Sequence, residues 1–161
     1  MRVLSSSTSP KLIDGTVDRG FGRGSRLLGF PTANLNSNKS ASLSEFLSCR
    51  ECKDGIYIGW ASVSSIDEPQ KAAISVGLNP TFEDSEVRLL EAHLIDYSGT
   101  DFYGQDIRIV LCAYIREALK FSSLDELKCE IWKDCEFARH KLEKEAHLAE
   151  LKNHPFLKFG S

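Results

Sequence analysis

No apolar run in this sequence approaches the roughly 20 residues that a membrane-crossing helix requires, so no helical span is expected. Excess positive charge is missing too. The 20 Lys and Arg stand against 23 Asp and Glu, a formal net charge of −3. That balance argues against a general nucleic-acid binder, although a local basic loop remains compatible with it. The five cysteines do not make an even set, and no signal peptide is evident. Reduced thiols and a cytoplasmic setting are therefore expected, rather than a disulfide framework. Cys49-x-x-Cys52 invites a zinc or redox reading, but Cys129 and Cys135 do not repeat its spacing, and the pair reads as incidental thiols. The first ten residues hold no acid, a faint transit-peptide trait on too short a stretch to carry weight.

What is present is ordinary in bulk and unusual in one place. Hydrophobic residues make up 42% and charged ones 27%, as in a globular domain. The 161 residues suit one domain, 1–161, with a core of its own. The unusual stretch is Arg19 to Asn34, with glycines at 20, 22, 24 and 29 and arginines at 19, 23 and 26. Closely spaced glycines let backbone N–H groups approach an anion, and arginine suits phosphate oxygens. Neither a Walker loop nor the dinucleotide fingerprint is present. By themselves the glycines equally fit a plain loop between strands. If the chain after Pro31 is extended, Thr32 and Asn34 point to one side, roughly 7 Å apart. Their neutral oxygens suit Mg²⁺ when phosphates supply the remaining charge.

Periodicity predicts strands at 12–17, 55–63, 71–78, 89–95 and 106–115, with a helical turn at 43–47. Ile107, Ile109 and Leu111 fall on one face of the last strand, and Arg108, Val110 and Cys112 on the other. Glu91 and His93 share a face opposite Leu90, Ala92 and Leu94. From Ser123 the period changes. Leu124, Leu127, Ile131, Cys135, Ala138 and Leu142 make a helical stripe opened by the capping box Ser123-x-x-Glu126, and this helix is expected to reach about Leu151. Strands followed by one long helix favour an antiparallel barrel with the helix packed outside.

Gly29-Phe30-Pro31-Thr32-Ala33-Asn34, at the end of the glycine-rich loop, resembles the signature of the riboflavin kinases. The resemblance runs on through Gly55-Ile56-Tyr57, Trp60–Val63, Val76–Pro80, Glu91–Leu94 and Asp101–Gly104, in the family's order. It implies a mainly β fold, a six-stranded antiparallel Greek-key barrel over about 12–116 with a C-terminal helix over about 123–151. It implies transfer of the ATP γ-phosphate to the ribityl 5′-hydroxyl of riboflavin, giving FMN, with Mg²⁺ (or Zn²⁺) as the metal. The length leaves no room for the adenylyltransferase domain of fused relatives, so FMN is the expected product, and a monomer is expected.

Residue by residue, the resemblance implies Glu91 as general base, where the residues alone favour a solvated position on a half-exposed strand. It implies Thr32 and Asn34 as metal and phosphate ligands. Gly20, Gly22, Arg26, Thr32, Leu94, Asp96 and Tyr103 fall at nucleotide positions, Leu94 and Tyr103 being equally suited to core packing. Arg116, Glu117 and Lys120 fall on the flavin side, where Tyr114-Ile115-Arg116-Glu117-Ala118 lacks the family's proline. Trp132 is placed to stack on a flavin or to pack in the core. The alternative from another class is a nucleic-acid-binding module using Arg19, Arg23 and Arg26, with little aromatic interleaving to support it.

Overall fold

The computed structural model describes residues 2–5, 9–18, 32–50, 52–78, 88–97 and 102–160. Six strands form one antiparallel sheet: β1 Lys11–Thr16, β2 Thr32–Asn36, β3 Gly55–Val63, β4 Gln70–Leu78, β5 Arg88–Leu94 and β6 Asp106–Arg116. Their spatial order is β1-β6-β3-β4-β5-β2. The meander β3-β4-β5 with β2 returned beside β5 is a Greek key.

The sheet is curled rather than flat. Alternate residues of every strand meet in one cluster: Ile13, Leu35, Val63, Ile74, Leu90 and Ile109 are all fully or almost fully buried in it. The two edge strands of a flat sheet would lie too far apart to share a core. The edges touch directly where Asp18 N donates to Asn34 O at 2.7 Å, forming a single antiparallel bridge. The short helix α1, Ala41–Ser48, contributes Leu43 and Phe46 to the same core. Ser40 caps it, accepting from Leu43 N at 3.1 Å while donating to Asp14 O at 2.6 Å, so the cap also ties α1 to β1.

The outer face carries a second core. Ile56, Ile58, Trp60, Ala73 and Val110 pack against Cys135, Ala138 and Leu142 of the long helix α2, Leu124–Lys144. Each large side chain buried this way contributes about 1.5–3 kcal/mol. β3 is therefore buried on both faces, which is why its sequence reads as a continuous apolar run rather than an alternation. At Gly59, where the β3–β6 register shifts, a Cβ would collide with the Val110 carbonyl oxygen, so the close approach of the two backbones needs glycine.

Expectation and structure differ at the helix. The apolar stripe is buried in the C-terminal half of α2, whereas Leu124 is 49% exposed. Glu126 N donates to Ser123 Oγ as a capping box requires, but the Glu126 carboxylate reaches back to Ser122 rather than Ser123. The helix stops at Lys144 and not near Leu151, because Glu145 adopts an extended conformation. The turn there redirects the chain into α3, Ala146–Ala149, and brings Leu148 back onto the outer core. Trp60 Nε1 donates to Leu148 O at 2.9 Å and fixes that return. A straight continuation would carry Leu148 away from the sheet.

Candidate active site

Register decides the site. In the β2–β5 pair Asn34 stands opposite Glu91, and Thr32 opposite His93. In the β5–β4 pair Ser75 stands opposite Glu91, and Ala73 opposite His93. Directly opposed residues of antiparallel strands point the same way, with Cβ atoms about 4.5–5.5 Å apart. Asn34, Glu91 and Ser75 therefore form a row across three strands, and an isolated bridge adds Asp18, just past β1, beside Asn34. Thr32, His93 and Ala73 form the next row. Both rows lie on the outer face, since Ala33, Leu35, Leu90, Ala92 and Leu94 fill the inner one.

The same bridge places the two ends of the chain that flank the glycine-rich stretch. The chain leaves the sheet at Asp18 and re-enters it at Thr32, beside the two rows. Gly20, Gly22 and Arg26, with Arg19 and Arg23, lie outside the described residues, so the structure places only the two anchors of that stretch.

The rows differ in burial. Thr32 and His93 are 6% and 5% exposed, while Asn34, Glu91 and Ser75 are half-buried. Thr32 Oγ1 and His93 Nδ1 are 3.0 Å apart and hydrogen-bonded. Burial pushes the Glu91 carboxyl above its ordinary value. Burial lowers His93 to about 4, against a smaller opposing pull from the Asp134 charge. His93 is thus neutral near pH 7, with one accepting ring nitrogen and one donating.

That burial has a cost in acid. His93 charges freely once unfolded, with an ordinary value of 6.5, but only near 4 when folded. Stability is full above pH 6.5 and is lost as the pH falls from there towards 4, by up to about 3 kcal/mol. In ligand-free protein His93→Asn should flatten the acid limb of a stability–pH curve measured by denaturant titration. An unchanged limb would show that His93 does not titrate on unfolding.

The remaining candidates do not converge here. Leu94 lies wholly inside the barrel core, so only its backbone faces any ligand. Tyr103 packs half-buried against the same core. Asp96 lies beyond the end of β5, five residues from Glu91, or roughly 16 Å along an extended chain. There its carboxylate pairs with Lys71 at 3.3 Å and Arg139 at 3.2 Å. Arg116 is buried and committed, with Nε and Nη2 gripping Asp134 of α2 at 2.8 and 2.7 Å. Arg2 Nε donates to the same carboxylate at 2.8 Å. Glu117 and Lys120 are exposed after β6, and Trp132 is 52% exposed on α2. Sequence reasoning missed Asp134. The signal was a charged residue three positions after Ile131 and one before Cys135, inside the apolar stripe. Ser75 was also missed, because its place beside Glu91 depends on the β4–β5 register.

As to metal ligands, no cluster of three or more His, Cys, Asp or Glu able to hold an ion occurs among the described residues. Thr32 and Asn34 offer neutral oxygens on one face instead, a donor set fitting a hard cation that arrives with phosphate.

Comparison with known proteins bears on the family and the fold. Residues 7–142 match the family model described as "Flavokinase: Riboflavin kinase". The human "Riboflavin kinase" is 38% identical over 139 residues, covering 86% of this chain and 85% of that protein. The "Bifunctional riboflavin kinase/FMN phosphatase" of Arabidopsis thaliana is 38% identical over 148 residues, covering 92% of this chain but only 37% of that longer protein. The crystal structure of riboflavin kinase from Trypanosoma brucei superposes with a TM-score of 0.71 at 26% identity, over 99% of this chain and 92% of that one.

Proposed function

This chain belongs to the riboflavin kinase family, and on that premise we propose that it transfers the γ-phosphate of ATP to the 5′-hydroxyl of riboflavin, yielding FMN and ADP. The observation that carries the site assignment is the β2–β5 register, which sets Asn34 against Glu91 with Thr32 one pair along.

Phosphoryl transfer needs phosphate charge offset, a hydroxyl held in line and its proton accepted. Glu91 is the acceptor. Its carboxyl is half-buried on β5, an interior strand paired on both sides, and its raised pKa makes it a stronger base than an exposed glutamate. Thr32 and Asn34 would hold Mg²⁺, which when bound offsets the charge of the transferring phosphates. Gly20, Gly22 and Arg26 serve the nucleotide phosphates, and Leu94 and Tyr103 its adenosine side, Leu94 through the backbone. Asp96 contributes there only if it leaves its two cations. On the flavin side Glu117 and Lys120 are exposed for contact, while Arg116 shapes the segment by its grip on Asp134.

Incubation with riboflavin, ATP and Mg²⁺, followed by chromatography, should yield FMN. Folded protein that yields none would overturn the assignment. Asn34→Ala should raise the Mg²⁺ concentration for half-maximal FMN formation by about tenfold or more, at little cost in fold. An unchanged Mg²⁺ titration would remove Asn34 from the metal site.

A further inference from the structure

Thr32 is almost wholly buried, and among the described residues its hydroxyl meets His93 Nδ1 at 3.0 Å. A hydroxyl carries one proton and two lone pairs. As a cation ligand it must present a lone pair, since a hydroxyl turned proton-first repels the ion. Rotation about Cβ–Oγ1 is cheap, so the proton needs a fixed acceptor directed away from the ligand position. The β2–β5 register supplies one. His93 is opposite Thr32, and both are almost fully buried, so bulk water competes poorly for the bond.

We propose that His93 is a positioning residue for phosphoryl transfer: its unprotonated Nδ1 accepts the Thr32 hydroxyl proton and leaves the Oγ1 lone pairs facing the cation. The inference rests on the assignment of Thr32 as a metal ligand. It specifies the tautomer of His93, with the proton on Nε2, and it gives a reason for a histidine at a nearly buried position on the outer face of β5.

Two substitutions separate acceptor from bulk. Asparagine places an amide oxygen on Cγ, where Nδ1 is attached in histidine, and so keeps the acceptor. Phenylalanine keeps a planar ring of similar size and loses it. The first readout is long-range ¹⁵N–¹H NMR of the unsubstituted protein, which should show Nδ1 unprotonated and Nε2 protonated. The second is calorimetric ADP binding as a function of Mg²⁺. His93→Phe should raise the Mg²⁺ requirement about tenfold, as expected when a partner orienting a metal ligand is lost. His93→Asn should stay within about threefold. In a Thr32→Val background, His93→Phe should add nothing further.

Protonated Nδ1 would overturn the proposal, and so would a parental Mg²⁺ requirement in His93→Phe alongside a raised one in Thr32→Val. A parental requirement in Thr32→Val would instead overturn the metal assignment beneath it. If His93→Phe does not fold, the tautomer measurement still decides.

Discussion

Glu91→Gln should lower kcat by about 10²- to 10⁴-fold, equivalent to roughly 3–5 kcal/mol of transition-state stabilisation. Glutamine has nearly the shape of glutamate and keeps the β2–β5 and β5–β4 pairings that Glu91 makes through its backbone. Riboflavin and nucleotide binding should therefore survive, and the loss should fall on kcat rather than KM. Near-parental turnover would remove Glu91 from the mechanism. A stability measurement supplies an independent check. Burial raises the Glu91 pKa above 4.5, so the folded state holds a proton that the unfolded chain releases. Stability contributed this way is present below pH 4.5 and is lost as the pH rises through the raised value. Glutamine carries no charge at any pH. Ligand-free Glu91→Gln should then be more stable than the parent at neutral pH, with the gap closing as the pH falls to 4.5. A gap that does not change with pH would mean that the carboxyl is not strained by burial.

Asp134→Ala should destabilise the fold by about 3–5 kcal/mol, because it strands a buried guanidinium. The Asp134 side chain is 3% exposed and its Arg116 partner 7%. In a domain of this size the loss should appear as a Tm drop of roughly 10 °C or more. The pair joins the end of β6 to α2, and Arg2 adds a third charge from the N-terminal segment, where Val3 N and Ser5 N also bond to β6 carbonyls at 3.1 and 3.3 Å. Removing both buried partners together, as in Arg116→Met with Asp134→Leu, should cost much less than Asp134→Ala alone. If the double substitution costs as much as the sum of its parts, the pair does not act as a unit.

Much of the fold was legible locally. Alternation on β6 set Ile107, Ile109 and Leu111 on one face and Val110 and Cys112 on the other, and the structure makes the first the inner core and the second the outer one. The same logic separated Glu91 and His93 from Leu90, Ala92 and Leu94. Period fails where burial is two-sided, as in β3, or where a charge enters a stripe, as at Asp134. It also missed the stop at Lys144, because nothing local forces a break there. The break is selected by what Leu148 packs against.

The amino-acid order by itself determined which side chains share a face, because pleat and helical turn are fixed by backbone sterics. It also determined which oxygens stand two apart after Pro31. Only the tertiary structure decided that Asn34 faces Glu91 and Thr32 faces His93. Those pairs join residues 57 and 61 positions apart, and a slip of one residue in register would have sent one partner of each pair to the opposite face. The burial that raises Glu91 and neutralises His93 was likewise decided there, since it arises with the fold that sets β2 and β4 on either side of β5 rather than from their neighbours in the chain.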